Sequence, residues 1–103
     1  MGKLRATRVP IDLPVMVEVG AHVREFRASN VSLGGMFIAG TTLEPNTPVS
    51  LMFSAPPYLP RLHVACTARW STEEGTGVRF DDLASESIDR LAELIRAVLA
   101  KMR

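Results

Sequence analysis

A chain of 103 residues with 47% hydrophobic content fits one small domain with a real core and is too apolar for a disordered segment. Its net charge of +1 excludes an overall field that would draw it to nucleic acid. The single cysteine, Cys66, excludes an internal disulfide and suits a reducing, cytoplasmic setting. No apolar run reaches the roughly 18 residues of a membrane span, so neither membrane insertion nor a signal peptide is expected.

Residues 1–10 form a basic arm in which Lys3, Arg5 and Arg8 precede the first acid, Asp12. Such an arm can hold an anion or lie solvated. Leu13, Val15, Val17 and Val19 then alternate with Pro14, Met16 and Glu18, the period of a half-buried strand. Gly20-Ala21 turns the chain into a second strand, His22 to Ala28. There Val23 and Phe26 fall on opposite faces, a defect that a bulge would repair. Asn30 to Gly35 reads as a turn, and Met36 to Ala39 as a short third strand. Val49, Leu51 and Phe53 alternate in a fourth. A proline-rich loop, Pro56 to Pro60, follows, with Tyr58 and Leu59 at its tip as a candidate partner surface.

In the fifth strand Leu62, Val64, Cys66, Ala68 and Trp70 face one way and Arg61, His63, Thr67 and Arg69 the other. Trp70 ends this apolar face, which places it in the core under the helix or at the edge of a ligand site. Glu73-Glu74-Gly75 turns the chain into Thr76, Val78 and Phe80. The period then changes. Ile88, Leu91, Ala92, Ile95, Val98, Leu99 and Met102 recur at helical spacing, predicting an amphipathic helix over residues 84–102. Ser85 or Asp82 would cap it, with acids early and bases late as its dipole favours. Leu94 falls off the stripe and, with Met102, would widen a homodimer face. Strands over residues 12–81 followed by one helix predict a single domain, a small antiparallel barrel or sandwich with the helix over an opening or edge.

Catalytic patterns are absent from this sequence. His22 and His63 have no close carboxylate or cysteine partner, and no HExxH, CxxC or EF-hand spacing occurs, so no metal site and no enzyme is expected. A binding module remains. Arginine offers a planar fork of donors for phosphate oxygens or the O6/N7 edge of guanine. Asn30 offers an amide and Ser32 a hydroxyl, and Gly34 and Gly35 leave backbone N–H groups open to close approach. This set suits a guanine nucleotide, although the same residues are also ordinary turn chemistry.

Order and spacing add to this reading. The sequence resembles the PilZ domain, a family of bacterial receptors for cyclic di-GMP whose pattern is R-x-x-x-R followed by [D/N]-x-S-x-x-G. RVPIDLPVMV (Arg8 to Val17) looks like the family's entry into its first strand. Asn30, Ser32 and Gly35 match the second motif at every specified position. GMFI (Gly35 to Ile38), ARW (Ala68 to Trp70) and GTGVRF (Gly75 to Phe80) look like its later strands. The resemblance implies a six-stranded antiparallel β-barrel with a C-terminal α-helix. It implies a ligand on the outer barrel surface, gripped by arginines of the arm, and a downstream protein partner in motility, pilus or biofilm control. The implied ligand-binding set is Arg5, Arg8, Asn30, Ser32 and Gly35. One departure stands out: Leu4 occupies the first arginine position of the arm motif, flanked by Lys3 and Arg5. The alternative is a PilZ adaptor that has lost cyclic di-GMP and acts through protein contacts, as members of type IV pilus systems do. A nucleic-acid partner is not expected, because Phe53, Trp70 and Phe80, half of the six aromatics, read as inward-facing.

Overall fold

The computed structural model describes residues 7–102; Lys3, Leu4 and Arg5 lie outside the described residues. Six antiparallel strands are followed by one helix: β1 (Val9–Val19), β2 (His22–Val31), β3 (Gly35–Ala39), β4 (Pro48–Ala55), β5 (Leu59–Thr72), β6 (Gly75–Phe80) and α1 (Ser85–Lys101). The strands close into a barrel in the order β1-β2-β3-β6-β5-β4. The seam is the pairing of Met16, Val17 and Glu18 with Met52, Leu51 and Ser50. Among the described residues, closure leaves no edge strand to be covered.

The period-2 pattern fills the interior. Val9, Val15 and Val17 of β1 meet Ala28 and Val31 of β2, Met36 and Ile38 of β3, Val49, Leu51 and Phe53 of β4, and Val64, Cys66 and Ala68 of β5, all buried. Phe53 and Phe80 stack inside at 6.5 Å between ring centroids. α1 lies against β1 and β5 and buries Leu91, Ala92, Leu94 and Ile95. Each fully buried Leu or Ile contributes about 1.5–3 kcal/mol.

Several details differ from the sequence expectation. Leu94 is buried, so it adds nothing to an exposed dimer face. Leu59 is 1% exposed and begins β5; the proline-rich turn ends before it, which leaves only half-buried Tyr58 at the proposed partner tip. The helix is capped at Ala84, with no side-chain cap bond, rather than by Asp82 or Ser85. Asn30 and Val31 belong to β2, so the turn is shorter than six residues.

The largest difference lies in two one-residue slips. β2 slips against β3 between Ala28 and Asn30, and β5 slips against β6 between Ala68 and Trp70. Residues two apart in a regular strand share a face. Ser29 and Arg69 are the extra residues that break this rule. Ala28 and Ala68 therefore point inward while Asn30 and Trp70 point outward, and Trp70 is 47% exposed.

A buried polar knot fixes the β3–β4 connection onto the β5–β6 hairpin. The hydroxyl of fully buried Thr76 donates to the Thr41 carbonyl at 2.7 Å and accepts from the Leu43 N–H at 3.0 Å. Ser71 joins it, 2.9 Å from Thr76 and donating to the Leu43 carbonyl at 2.7 Å. Gly35 sets the approach of β3 to β6. A Cβ there would collide with the Val78 carbonyl oxygen and stand 3.2 Å from Arg79 Cα. Neither Gly34 nor Gly35 has a positive φ, so the demand at Gly35 is steric rather than torsional.

Two measurements test this packing. Gly35→Ala forces backbone apart and is expected to cost about 1–3 kcal/mol or more in urea unfolding. Gly34→Ala, whose added Cβ meets nothing nearer than Ser32 Oγ at 3.9 Å, is expected to stay within about 0.5 kcal/mol of the parent. Equal costs would contradict the close β3–β6 approach. Cys66 gives a pH test, because burial, reinforced by nearby Asp81, pushes its thiol up to about 12. A folded-state pKa raised above the unfolded value of about 8.5 means stability present below that pH and lost as pH rises toward 12. The stability difference between the wild type and Cys66→Ala should therefore shift against the wild type as pH rises above about 9. A pH-independent difference would show the thiol to be as solvated in the fold as in the unfolded chain.

Candidate functional site

The β2–β3 corner is built by Ser32. Its N–H donates to the Gly35 carbonyl at 2.8 Å, and its hydroxyl accepts from the Gly34 N–H at 3.1 Å. The same hydroxyl lies 3.5 Å from the Gly35 carbonyl, and the side chain is buried. The Phe80 N–H donates to the Gly34 carbonyl at 2.8 Å, tying the corner to β6. Ser32 and Gly35 thus shape this corner: the Ser32 hydroxyl is turned into it, and Gly35 is bare because β6 lies against it.

Arg8, immediately before β1, donates from Nη1 to Asn30 Oδ1 at 2.7 Å. The pairing of Val9 with Val31 and of Pro10 with Asn30 brings the base of the arm to this place. Because the Ser29 slip turns Asn30 outward, its amide can meet a cation that comes in along the outer surface. Nη1 is engaged, and the rest of the fork still offers donors to a planar acceptor.

A continuous lateral row extends from this contact. Asn30 pairs with Phe37, Phe37 with Gly77, and Gly77 with Trp70. Phe37 and Trp70 stack at 5.3 Å between centroids with 29° between planes. The indole lies on Gly77, where a Cβ would collide with it, and the Phe37 ring covers Gly75, 2.8 Å from a Cβ placed there. The glycines on the outer face of β6 thus leave backbone on which two aromatic rings rest.

Of the residues expected from sequence, Arg8 and Asn30 meet directly, Ser32 and Gly35 form the adjoining corner, and Arg5 lies outside the described residues. Sequence reasoning missed Phe37 altogether and left Trp70 between core and ligand edge. The available signal was Gly75-x-Gly77, a pattern of bare strand positions that aromatic side chains cover. Among the described residues, no group of three His, Cys, Asp or Glu comes together as a metal site, and no helix is long and apolar enough to cross a membrane. A separate recess of about 200 Å³ lies between β1 and β4, lined by Met16, Met52, Glu25 and Arg61, away from the Arg8–Trp70 row.

Comparison with solved structures shows the same fold in proteins of low identity. The Bacillus subtilis inhibitor of motility MotI/DgrA matches with a TM-score of 0.80 at 14% identity, over 93% of this chain and 50% of that one, so the chain spans half of its length. The PilZ domain of Escherichia coli YcgR, solved with c-di-GMP, matches with a TM-score of 0.75 at 13% identity over 94% and 92% of the two chains. PlzA of Borreliella burgdorferi, solved in complex with c-di-GMP, gives 0.61 at 10% identity over 99% and 55%. No curated protein matches the sequence. The model of the PilZ domain matches residues 3–97, the whole barrel and most of the helix, and the chain belongs to the PilZ domain family.

Proposed function

We propose that this protein is a cyclic di-GMP-binding adaptor that passes the second-messenger signal to a partner protein. The observation that carries the reading is the 2.7 Å contact of Arg8 with Asn30 beside the Ser32–Gly35 corner. It supports a cationic arm and a bare corner acting on one ligand. Cyclic di-GMP has two anionic phosphates and two guanines. The free donors of Arg8 suit a phosphate or the O6/N7 edge of a guanine, each charge-assisted contact contributing about 1.5–3 kcal/mol. Asn30 orients the arginine and presents its own amide. Ser32 and Gly35 keep the corner low enough for the macrocycle to approach. Phe37 and Trp70 offer a base a stacking surface, worth about 1–3 kcal/mol per base in single-stranded nucleic-acid complexes. Arg5 joins from the arm as the substitute for the arginine that Leu4 displaces.

On this reading the signal passes to a second protein through movement of the arm as it folds over the ligand. Likeness to the YcgR domain and PlzA, both solved with c-di-GMP, supports the ligand. Likeness to an inhibitor of motility supports control of motility, with pilus or biofilm control as related outputs, in the cytoplasm. Leu4 favours a second reading, in which the domain no longer binds cyclic di-GMP and works through protein contacts alone.

Titration calorimetry decides between the two, and the single tryptophan, Trp70, gives a parallel fluorescence signal. The receptor reading expects micromolar binding with a change in indole emission, weakened roughly tenfold to a hundredfold by Arg8→Ala. Silence of the wild type at high ligand concentration would leave the protein-contact adaptor standing.

A further inference from the structure

The row beside Asn30–Phe37–Gly77–Trp70 holds a second arginine that the sequence motifs do not assign. Val9 pairs with Val31, Val31 with Met36, and Met36 with Val78. One residue further on in each strand, the outer surface carries Arg8, then the Ser32–Gly35 corner, then Arg79. Gly35 pairs with Arg79, and Arg79 pairs with Thr67. The corner is therefore flanked by one guanidinium from the arm and one from β6. Arg79 Cα stands only 3.2 Å from where a Gly35 Cβ would be, so no side chain at position 35 screens it from the corner.

Arg79 is also available. Its side chain is 54% exposed, and its one ion pair among the described residues is a 3.4 Å contact with Asp81. An exposed pair of that length holds an arginine weakly. Asp81 is anchored independently, accepting from the Thr67 hydroxyl at 2.8 and 3.0 Å, so Arg79 can swing away without undoing the strand. Among the groups that frame the corner, Arg8 and Arg79 carry the positive charge and Asp81 the negative.

We infer that Arg79 is a second cationic grip on the same ligand, holding a phosphate on the side of the Ser32–Gly35 corner opposite Arg8. The inference rests on the reading of this surface as a cyclic di-GMP site. A doubly anionic macrocycle lying over the corner meets a cation at either side, and Arg79 supplies its charge from the barrel rather than from the arm.

The test is calorimetric titration of the whole chain with cyclic di-GMP, using wild type, Arg79→Ala, Arg79→Lys, Asp81→Asn and Arg90→Ala. Arg79→Ala should weaken binding about tenfold or more, and Arg79→Lys, which keeps the charge and loses the fork, should fall between it and the wild type. Asp81→Asn should bind as well as the wild type or more tightly, because it frees Arg79 and removes a negative charge. Arg90→Ala, an equal loss of charge on α1, should leave affinity unchanged. The inference is overturned if Arg79→Ala binds within about twofold of a wild type that Arg8→Ala disables, an outcome that leaves the receptor reading intact. It is also overturned if Asp81→Asn loses as much as Arg79→Ala, since the pair would then be a strut. A wild type silent toward the ligand overturns both readings. Near-ultraviolet dichroism of the Trp70 band confirms folding, and Arg79→Lys carries the test should Arg79→Ala unfold.

Discussion

The candidate site depends on two strand slips. In an uninterrupted β2, Asn30 would share the inward face of Ala28, and in an uninterrupted β5, Trp70 would share that of Ala68. An amide and an indole would then occupy a core filled by Val, Ile and Met, with their polar atoms short of partners. One extra residue in each strand moves both groups outside while the buried ladder on either side stays in phase. The slips occur on both sides of the β3–β6 pair, which is why Asn30, Phe37, Gly77 and Trp70 share one lateral row.

The glycines of this region work by absence of a side chain. Gly35 lets β6 approach the corner, and Gly75 and Gly77 receive the rings of Phe37 and Trp70. The stacked rings in turn cover backbone that glycine leaves bare. A rigid platform follows from small residues packed beneath large ones, and rigidity matters because a site held in place before binding loses less conformational entropy when its ligand arrives. The knot of Thr76, Ser71, Thr41 and Leu43 serves the same end by holding the β5–β6 hairpin, which carries Trp70 and Gly77, against the β3–β4 connection.

The strands and the helix were legible because strict alternation and helical spacing are read directly from residue types. Val15, Val17, Leu51, Val64 and Leu91 needed no tertiary information. The motif residues were legible as well, since Asn30, Ser32 and Gly35 stand at fixed spacing. What escaped was everything that depends on a change of phase within a strand. Extending period two through Arg69 placed Trp70 with Ala68, and ending β2 at Ala28 made Asn30 a turn residue. Leu94 and Leu59 were misjudged for a related reason: α1 and the start of β5 are buried by elements distant in sequence, which periodicity within one segment does not register. Arg79 belongs to no motif read from the sequence. Its place beside Gly35 follows from the β3–β6 register, which only the folded barrel supplies.

The division of labour between arm and barrel follows from where Arg8 lies. It is the last residue before β1, and its side chain is bonded to a residue of β2, so the arm is tied to the barrel at the point where the chain leaves it. An arginine held in this way has already given up part of its rotamer freedom, and a ligand that takes over its remaining donors loses less entropy than one recruiting a free side chain. At the first arginine position of the arm motif stands Leu4, which cannot hydrogen-bond to a guanine edge or a phosphate. On the proposed receptor reading, groups fixed on the barrel surface, the stacked rings and the cation of β6, would carry more of the affinity, and the arm would register whether the surface is occupied. Recognition and output are then separate: the row of Asn30, Phe37, Gly77 and Trp70 would recognise the ligand, and the segment that leaves it at Arg8 would be what a partner protein reads.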